Sequence, residues 1–491
     1  MNKLYFSEVR SILLALSAVP VLLSFVPAAH GLQQHREIEG PFESVRDMSA
    51  QCIACHRQQA NEVLASTHWT WSRKAVINGE SVPFGKNDSL AGFAIDVAAN
   101  ASRCTACHIS SDRGNVNPKA PSPDALDCLV CHDTTGRYRL SSSPAPSSEP
   151  PFDLGVIARN VGRPNVKNCL ICHFADCGLP SSPAENRLHP EPADIHMRAD
   201  GGNFSCQTCH DGGHALFGHR SRADDSSSAG ERCAGCHSGA PHDMAILNKH
   251  GESVSCRTCH IRVEGGGTPV LVGWNWIMAG RGVPVHLDTP GGRLRIRDRN
   301  GAETAINVEP VYLWDDGSDT AYRRGQRIQP GEMTVLQGPA PKSDRSKITP
   351  FRVMHATQLY DRKYRYLISP LLNADGPELF PADGPVSLAE DGMKALVLPY
   401  SGQYDYTATV RYKRISHGVA PAEQALGCLD CHGRSGRMNW AELGFDGDPW
   451  PNGLIMQEGG EQPGDAATNS GPPTRPPAET GTDASPPADD W

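Results

Sequence analysis

A five-residue pattern, Cys-x-x-Cys-His, recurs eight times in 491 residues, and no other feature constrains the folding of this chain as tightly. The first four copies comprise Cys52, Cys55 and His56; Cys104, Cys107 and His108; Cys128, Cys131 and His132; and Cys169, Cys172 and His173. The other four comprise Cys206, Cys209 and His210; Cys233, Cys236 and His237; Cys256, Cys259 and His260; and Cys428, Cys431 and His432. Cys-x-x-Cys pairs also build zinc ribbons and dithiol redox sites, and an even set of cysteines suits a disulfide framework. None of those chemistries needs a histidine directly after the second cysteine in every copy. Covalent attachment of a c-type haem does: the two thiols add to the vinyl groups as thioethers, and the next residue reaches under the ring to bind iron. The pattern therefore predicts eight covalently bound c-type haems, using 16 of the 17 cysteines and leaving only Cys177.

Composition agrees with that reading. Hydrophobic residues make up 38% of the chain and aromatic residues 6%, thin for a conventional core at this length. Eight porphyrins, each a large apolar plate, supply the missing buried surface, so haem attachment and folding are expected to be one event. The expected fold is a multihaem cytochrome c: mainly α with much irregular structure, a core organised by haem, and a loop- and short-strand-rich insertion before the last haem. A net charge of −9, with no basic run, argues against nucleic acid as a partner.

The chain divides by motif density. Residues 1–30 read as an export signal, with Lys3 and Arg10 ahead of an apolar stretch over 12–26 and small residues at Ala28 and Ala29. The apolar stretch is short and broken by Ser17 and Pro20, which favours cleavage over a spanning helix. Export fits c-type haem, which bacteria attach outside the cytoplasm, so a periplasmic location is expected; the membrane becomes a partner only if the signal is retained as an anchor. A polar linker covers 31–44, a multihaem region with seven motifs covers 45–262, and a haem-free insertion with short strands covers 263–414. The last haem segment spans 415–445, and 458–491 is a Pro-, Gly- and Asp-rich tail read as disordered. Within these, a helix is expected over 62–71 and a loop around Pro83 and Gly85. A Ser/Pro-rich linker is expected over 141–151, strands over 270–274, 311–314, 364–368 and 404–412, and a helix over 422–426.

The sixth position on each iron decides what its haem does. A second histidine closes the iron for electron transfer, whereas a weak or exchangeable ligand opens it to substrate. Twelve histidines lie outside the motifs. His30 and His35 are set aside with the signal region. His68, His196, His214, His242, His250 and His417, each a helical turn or a short loop from a motif, are read as second ligands. His189 is left undecided, and His219, His286 and His355 read better as surface or hydrogen-bonded histidines.

The residues between the motifs carry a resemblance. They include Ser66, Thr67, His68, Trp69, Thr70 and Trp71; residues 127–138; Asn160, Val161 and Gly162 leading to Asn168 and Cys169; and Asp194 to Met197 running on to Cys206. They continue through 214–216, 239–242, 247–250, 312–314 and 415–421. Over roughly 45–435, including the long haem-free gap, the chain resembles the octahaem tetrathionate reductases, a family of periplasmic multihaem cytochromes. The resemblance implies bis-histidine haems with one exception, a substrate-binding haem on the second motif, here Cys104, Cys107 and His108. In that family a lysine after the fourth motif is its distal ligand, and the activity is reduction of tetrathionate, with nitrite or hydroxylamine turned over at similar sites.

This chain departs from the family at that lysine. Residues 174–182 after motif four are shorter and contain no lysine, and Ala94 lies about where the family carries an isolated cysteine. The unpaired Cys177 sits in the altered loop. One reading makes it the distal ligand or a sulfur acceptor, since a thiolate is a strong, soft iron ligand; the other makes it an inert thiol. Lys167 is the reserve ligand or simply an exposed lysine, and Arg163 with Lys167 could hold an anion. Two functions follow. One is an oxidoreductase acting on small sulfur or nitrogen oxyanions, supplied by a redox partner such as another cytochrome or a quinol-oxidising membrane module. The other is a non-catalytic multihaem electron carrier.

Overall fold

The structure is a computed structural model. It describes residues 35–450 apart from 89, 91–94, 102–107, 112–121, 139–152, 174–193, 211–212, 217–230, 266, 268, 282–284, 288–294 and 374–377. The export signal, the cysteines of motif two, the Ser/Pro-rich linker, the loop holding Cys177, and the tail from 458 lie outside the described residues.

The motif-rich part is built from single helical turns. The helix Val45–Ala65 is the exception at 21 residues, and motif one sits inside it. Ser44 caps its start, the hydroxyl accepting the Asp47 amide at 3.1 Å, and Asp47 lies in the positively polarised first turn. The helix breaks at His56 (φ −109°, ψ 36°), the residue whose ring must turn out of the helical path. The remaining motifs with described cysteines ride on Leu129–His132, Val166–His173, Cys206–Cys209, Glu231–His237, Cys256–His260 and Cys428–Cys431. Helices this short do not hold themselves together in water, so each depends on what packs against it. A cluster of Met48, Trp69, Leu129, Val130, Leu154 and Ile157 serves motifs one and three.

The insertion over 263–414 is more regular than short strands and loops. Eleven strands form one mixed sheet. They are β1 Ser72–Ile77, β2 Glu80–Gly85, β3 Val270–Asn275, β4 Val285–Leu287, β5 Arg295–Arg297, β6 Ala302–Ala305, β7 Val311–Asp315, β8 Asp319–Ala321, β9 Thr334–Pro339, β10 Lys347–Asp361 and β11 Tyr404–Arg414. The order is β2-β1-β8-β9-β11-β10-β3-β6-β5-β4, with β7 paired to the start of β10. β10 runs 15 residues and is buried on both faces for most of its length, the signature of a central strand. It pairs antiparallel with β11 from Phe351 opposite Arg414 to Asp361 opposite Tyr404. Trp274, Trp276, Leu359, Ile368, Phe380 and Met393 fill the core beside it.

Four expectations change. The loop expected around Pro83 is the hairpin β1–β2, turned by Asn78 and Gly79, both at positive φ (52° and 82°). That pair of conformations defines a two-residue hairpin turn, and Pro83 is tolerated because β2 is a sheet edge. Residues 364–368 do not form a strand. Asp361 Oδ1 accepts the amides of Lys363 and Tyr364 at 2.9 Å each and turns the chain back, leaving a single bridge between Tyr360 and Leu367. The helix expected over 62–71 stops at Ala65 and restarts as Thr67–Thr70, ending at Trp71 in the left-handed region, while 422–426 contains only the 3-10 turn Ala422–Gln424. Among the described residues no helix is long and apolar enough to cross a membrane.

The sheet and the motif region are stitched together at several places, among them the pairing of 253–255, just ahead of motif seven, with Ile348 of β10. Asn78 donates to the Ala321 carbonyl (3.1 Å) and accepts the Ala321 amide (3.0 Å), tying the hairpin to β8. Beyond β11, Val419 accepts the Ile195 amide (2.8 Å), and the amides of Ala420 and Leu426 donate to the carbonyls of His260 (2.8 Å) and Cys259 (2.9 Å). The last long strand thus feeds directly into the haem motifs.

Asp361 is fully buried and also accepts the Ser401 amide (2.8 Å) and hydroxyl (2.9 Å). Replacing it with alanine strands four donors, so Asp361→Ala is expected to destabilise the haem-loaded protein by roughly 2–4 kcal/mol in denaturant unfolding, and Asp361→Asn by less.

Candidate haem-ligand sites

Seven of the motif histidines face a second histidine. Ring centres lie 6.0 Å apart for His56 with His35, His132 with His214, and His237 with His196. They lie 6.1 Å apart for His173 with His68 and His260 with His242, and 6.4 Å apart for His210 with His417 and His432 with His250. The spacing has a simple meaning. A metal–imidazole bond of about 2 Å plus roughly 1.1 Å from nitrogen to ring centre puts two imidazoles on opposite sides of one ion about 6.2 Å apart. The residues present therefore fit haem iron with two axial imidazoles at each of these sites.

The second histidines arrive from different elements. His68 is carried by Thr67–Thr70 to motif four, His214 by Gly213–Leu216 to motif three, and His250 by Ala245–His250 to motif eight. His417 follows β11 and meets motif five. All six histidines expected as second ligands stand in these pairs. His35 corrects the reading, since it was set aside with the signal region. The linker does not trail away: Ile38 and Phe42 pack on the Met48–Leu129 cluster, and the Ile38 carbonyl accepts from Arg159 (3.0 Å), bringing His35 beneath motif one. His355 is exposed on β10. The His286 side chain, His189 and His219 lie outside the described residues.

Burial tunes these rings for metal. Desolvation, with help from the neighbouring His68, holds His173 down to about 4, and burial lowers His132 and His260 as well. Each therefore stays neutral at pH 7, the form that binds a metal. Several Nδ1 atoms are anchored through the hydrogen bonds that orient such ligands: His132 donates to the Gly162 carbonyl (2.8 Å), His250 to the Ile246 carbonyl (2.8 Å), and His196 to Asp194 (2.9 Å). His432 donates to Asp448 (2.6 Å). The motifs also lie side by side. The side chains of Cys52 and Cys128, Cys169 and Cys206, and Cys233 and Cys256 interact, joining motif one to three, four to five, and six to seven. Cys431 lies within electrostatic reach of Cys259, which brings motif eight beside motif seven.

His108 has a different setting. It is fully buried, its Nε2 lies 2.8 Å from the Trp69 carbonyl, and its ring stands edge-on to Trp69 (5.0 Å) and Trp71 (4.8 Å). The buried Trp69 indole N–H has no hydrogen-bond partner among the described residues, an arrangement that suits a bound acceptor. Lys86, half-buried at the end of the β1–β2 hairpin, sits with its ammonium 5.4 Å from the Trp71 ring centre. Arg163 and Lys167 are both exposed on the segment leading into motif four, and Cys177 lies outside the described residues. Sequence reading passed over Lys86 because its hairpin read as loop. It passed over Asp194 and Asp448 because an isolated aspartate carries no local signal of which ring it will meet.

Comparison with known proteins agrees with this geometry. A family model described as cytochrome c bacterial matches residues 272–435. An uncharacterised protein of Archaeoglobus fulgidus is 25% identical over 236 residues, 35% of this chain and 76% of that protein. The crystal structure of octaheme cytochrome c from Shewanella oneidensis superposes with a TM-score of 0.72 at 32% identity, covering 84% of this chain and 97% of that one. With c-type haem attachment written into the motifs and the fold shared across nearly the whole of that structure, the chain belongs to the octahaem c-type cytochrome family.

Proposed function

We propose that this cytochrome carries eight haems, seven of them closed by paired histidines for electron transfer and one, on motif two, left for a small oxidised sulfur or nitrogen anion. The observation that supports the reading is the setting of His108, buried edge-on to Trp69 and Trp71, with a Trp69 indole N–H that meets no acceptor among the described residues. Each haem supplies an iron that exchanges one electron at a time.

The chain's own residues divide the work. The paired histidines would hold each iron between two strong ligands, leaving little to rearrange when an electron passes. The nearness of the cysteines of motifs one and three, four and five, and six and seven sets those haem sites side by side, as a relay requires. Around motif two, the Trp69 indole N–H offers a buried donor and Lys86 a nearby positive charge, both suited to an anion in a chain whose net charge is negative. Trp69 and Trp71 keep that space apolar, which strengthens such contacts by excluding water. Lys86 takes the anion-holding part considered for Arg163 and Lys167. The likeness to tetrathionate reductases makes oxyanion reduction the favoured reaction, fed by a one-electron protein partner, and the N-terminal sequence favours the periplasm as its location.

Two measurements test this. His35→Ala is expected to convert one haem from low-spin to high-spin in the electronic spectrum, whereas His355→Ala leaves all unchanged. Nitrite, sulfite or cyanide is expected to perturb one haem in the parent protein, and Trp69→Phe to weaken anion binding by roughly 10–100-fold. A parent spectrum indifferent to all three ligands would make the protein a pure electron carrier.

A further inference from the structure

The oxygen offered to the outer nitrogen of each ligand histidine differs from site to site. At motif three His132 meets the Gly162 backbone carbonyl (2.8 Å), and at motif seven His242 meets the neutral Asn248 Oδ1 (3.2 Å). Two of the described sites hydrogen-bond a carboxylate through Nδ1, while at motif three Glu62 stands 3.9 Å from His214 Nδ1, beyond hydrogen-bond reach. At motif six, Asp194 accepts from His196 Nδ1 (2.9 Å), and it also accepts the backbone amides of His196 (3.0 Å), Gly418 (3.0 Å) and Val419 (3.1 Å). Its charge is shared over four donors. At motif eight, Asp448 accepts from His432 Nδ1 at 2.6 Å and, among the described residues, from two amides, Gly433 (2.6 Å) and Trp450 (3.0 Å). The contact to the ring is shorter and the competition for the charge smaller.

An anionic acceptor draws the Nδ1 proton toward itself and makes Nε2 a stronger donor to iron, which favours Fe(III) over Fe(II). Motif eight receives this on one side and a second push on the other, because the facing His250 donates to the Ile246 carbonyl (2.8 Å). The His432 ring is clamped by Trp440 at 5.0 Å and Trp450 at 4.7 Å, so it cannot swing away from the carboxylate. We infer that Asp448 is a positioning residue that, acting through His432, makes the motif-eight iron the hardest to reduce of the seven bis-histidine centres. This rests on the bis-histidine reading above. A centre of lowest potential is filled last and emptied first, which makes motif eight the donor end of the relay.

The test is an optical redox titration of the full-length protein, with eight attached haems confirmed by mass. Asp448→Asn removes the charge and is expected to shift the lowest-potential centre upward while the other seven titrate as in the parent. Because an asparagine amide also opposes the Gly433 amide, Asp448→Glu serves as the charge-retaining partner and is expected to return that centre toward its parent potential. The inference is overturned if Asp448→Asn leaves every potential unchanged, if it moves a centre other than the lowest, or if Asp448→Glu shifts the centre as far as Asp448→Asn. Failure of the ligand reading itself looks different: His250→Ala would then leave the number of low-spin irons unaltered.

Discussion

The fold depends on a distance: two imidazoles held about 6 Å apart across a space that neither fills. That gap is set by metal–nitrogen bonds and ring size, and seven parts of the chain conform to it. The polypeptide contributes few elements able to impose such order alone. Helices of four to eight residues carry six of the motifs, and segments that short are held by their surroundings. Thioethers at one end and an iron bond at the other convert each turn into a rigid bracket. The ligand site and the folding nucleus are then the same object.

The sheet answers a different need. Its core of Trp274, Trp276, Phe380 and Met393 is apolar side chain packed on apolar side chain, and it borders the motif region without needing a porphyrin. Its output is positional. β11 ends at Arg414, which is gripped by Asp315 and Asp319, and three residues later the chain presents His417. Asp194 then holds Gly418 and Val419 with one carboxylate oxygen and His196 with the other. One buried carboxylate therefore registers the second ligands of motifs five and six against each other, so distortion of the sheet end would be felt at two irons.

What the sequence made legible follows the reach of each interaction. The Cys-x-x-Cys-His pattern is local, complete within five residues, and could be read directly. Second ligands close to a motif, such as His68 and His250, were legible from spacing, but their partners were not: His68 sits beside motif one and faces His173 of motif four. Chain proximity is a poor guide where the metal joins distant segments. His35 was missed because its neighbourhood is polar and its placement rests on Ile38 and Phe42 meeting a cluster from residues 48 to 158. The hairpin was missed although Asn78-Gly79 is a strong turn signal, because Pro83 argues against a strand unless the strand is known to be an edge, and only the assembled sheet reveals that.

On the proposed reading one scaffold holds both a relay and a reactive centre, and the surroundings of His108 are where the two would meet. A ring pair closes iron symmetrically and spends the whole coordination sphere on rigidity. Trp69 and Trp71 bring bulk and an apolar wall to His108. Both come from the same short segment that supplies His68 to motif four, so a single helical turn closes one iron and lines the surroundings of another. The left-handed Trp71 at its end allows this, since it reverses the chain into β1 and the hairpin that carries Lys86 back toward the tryptophan. A helix continued past Thr70 would keep His68 in place but send Lys86 elsewhere. On the proposed reading the turn is where electron transfer and anion recognition would be mechanically joined.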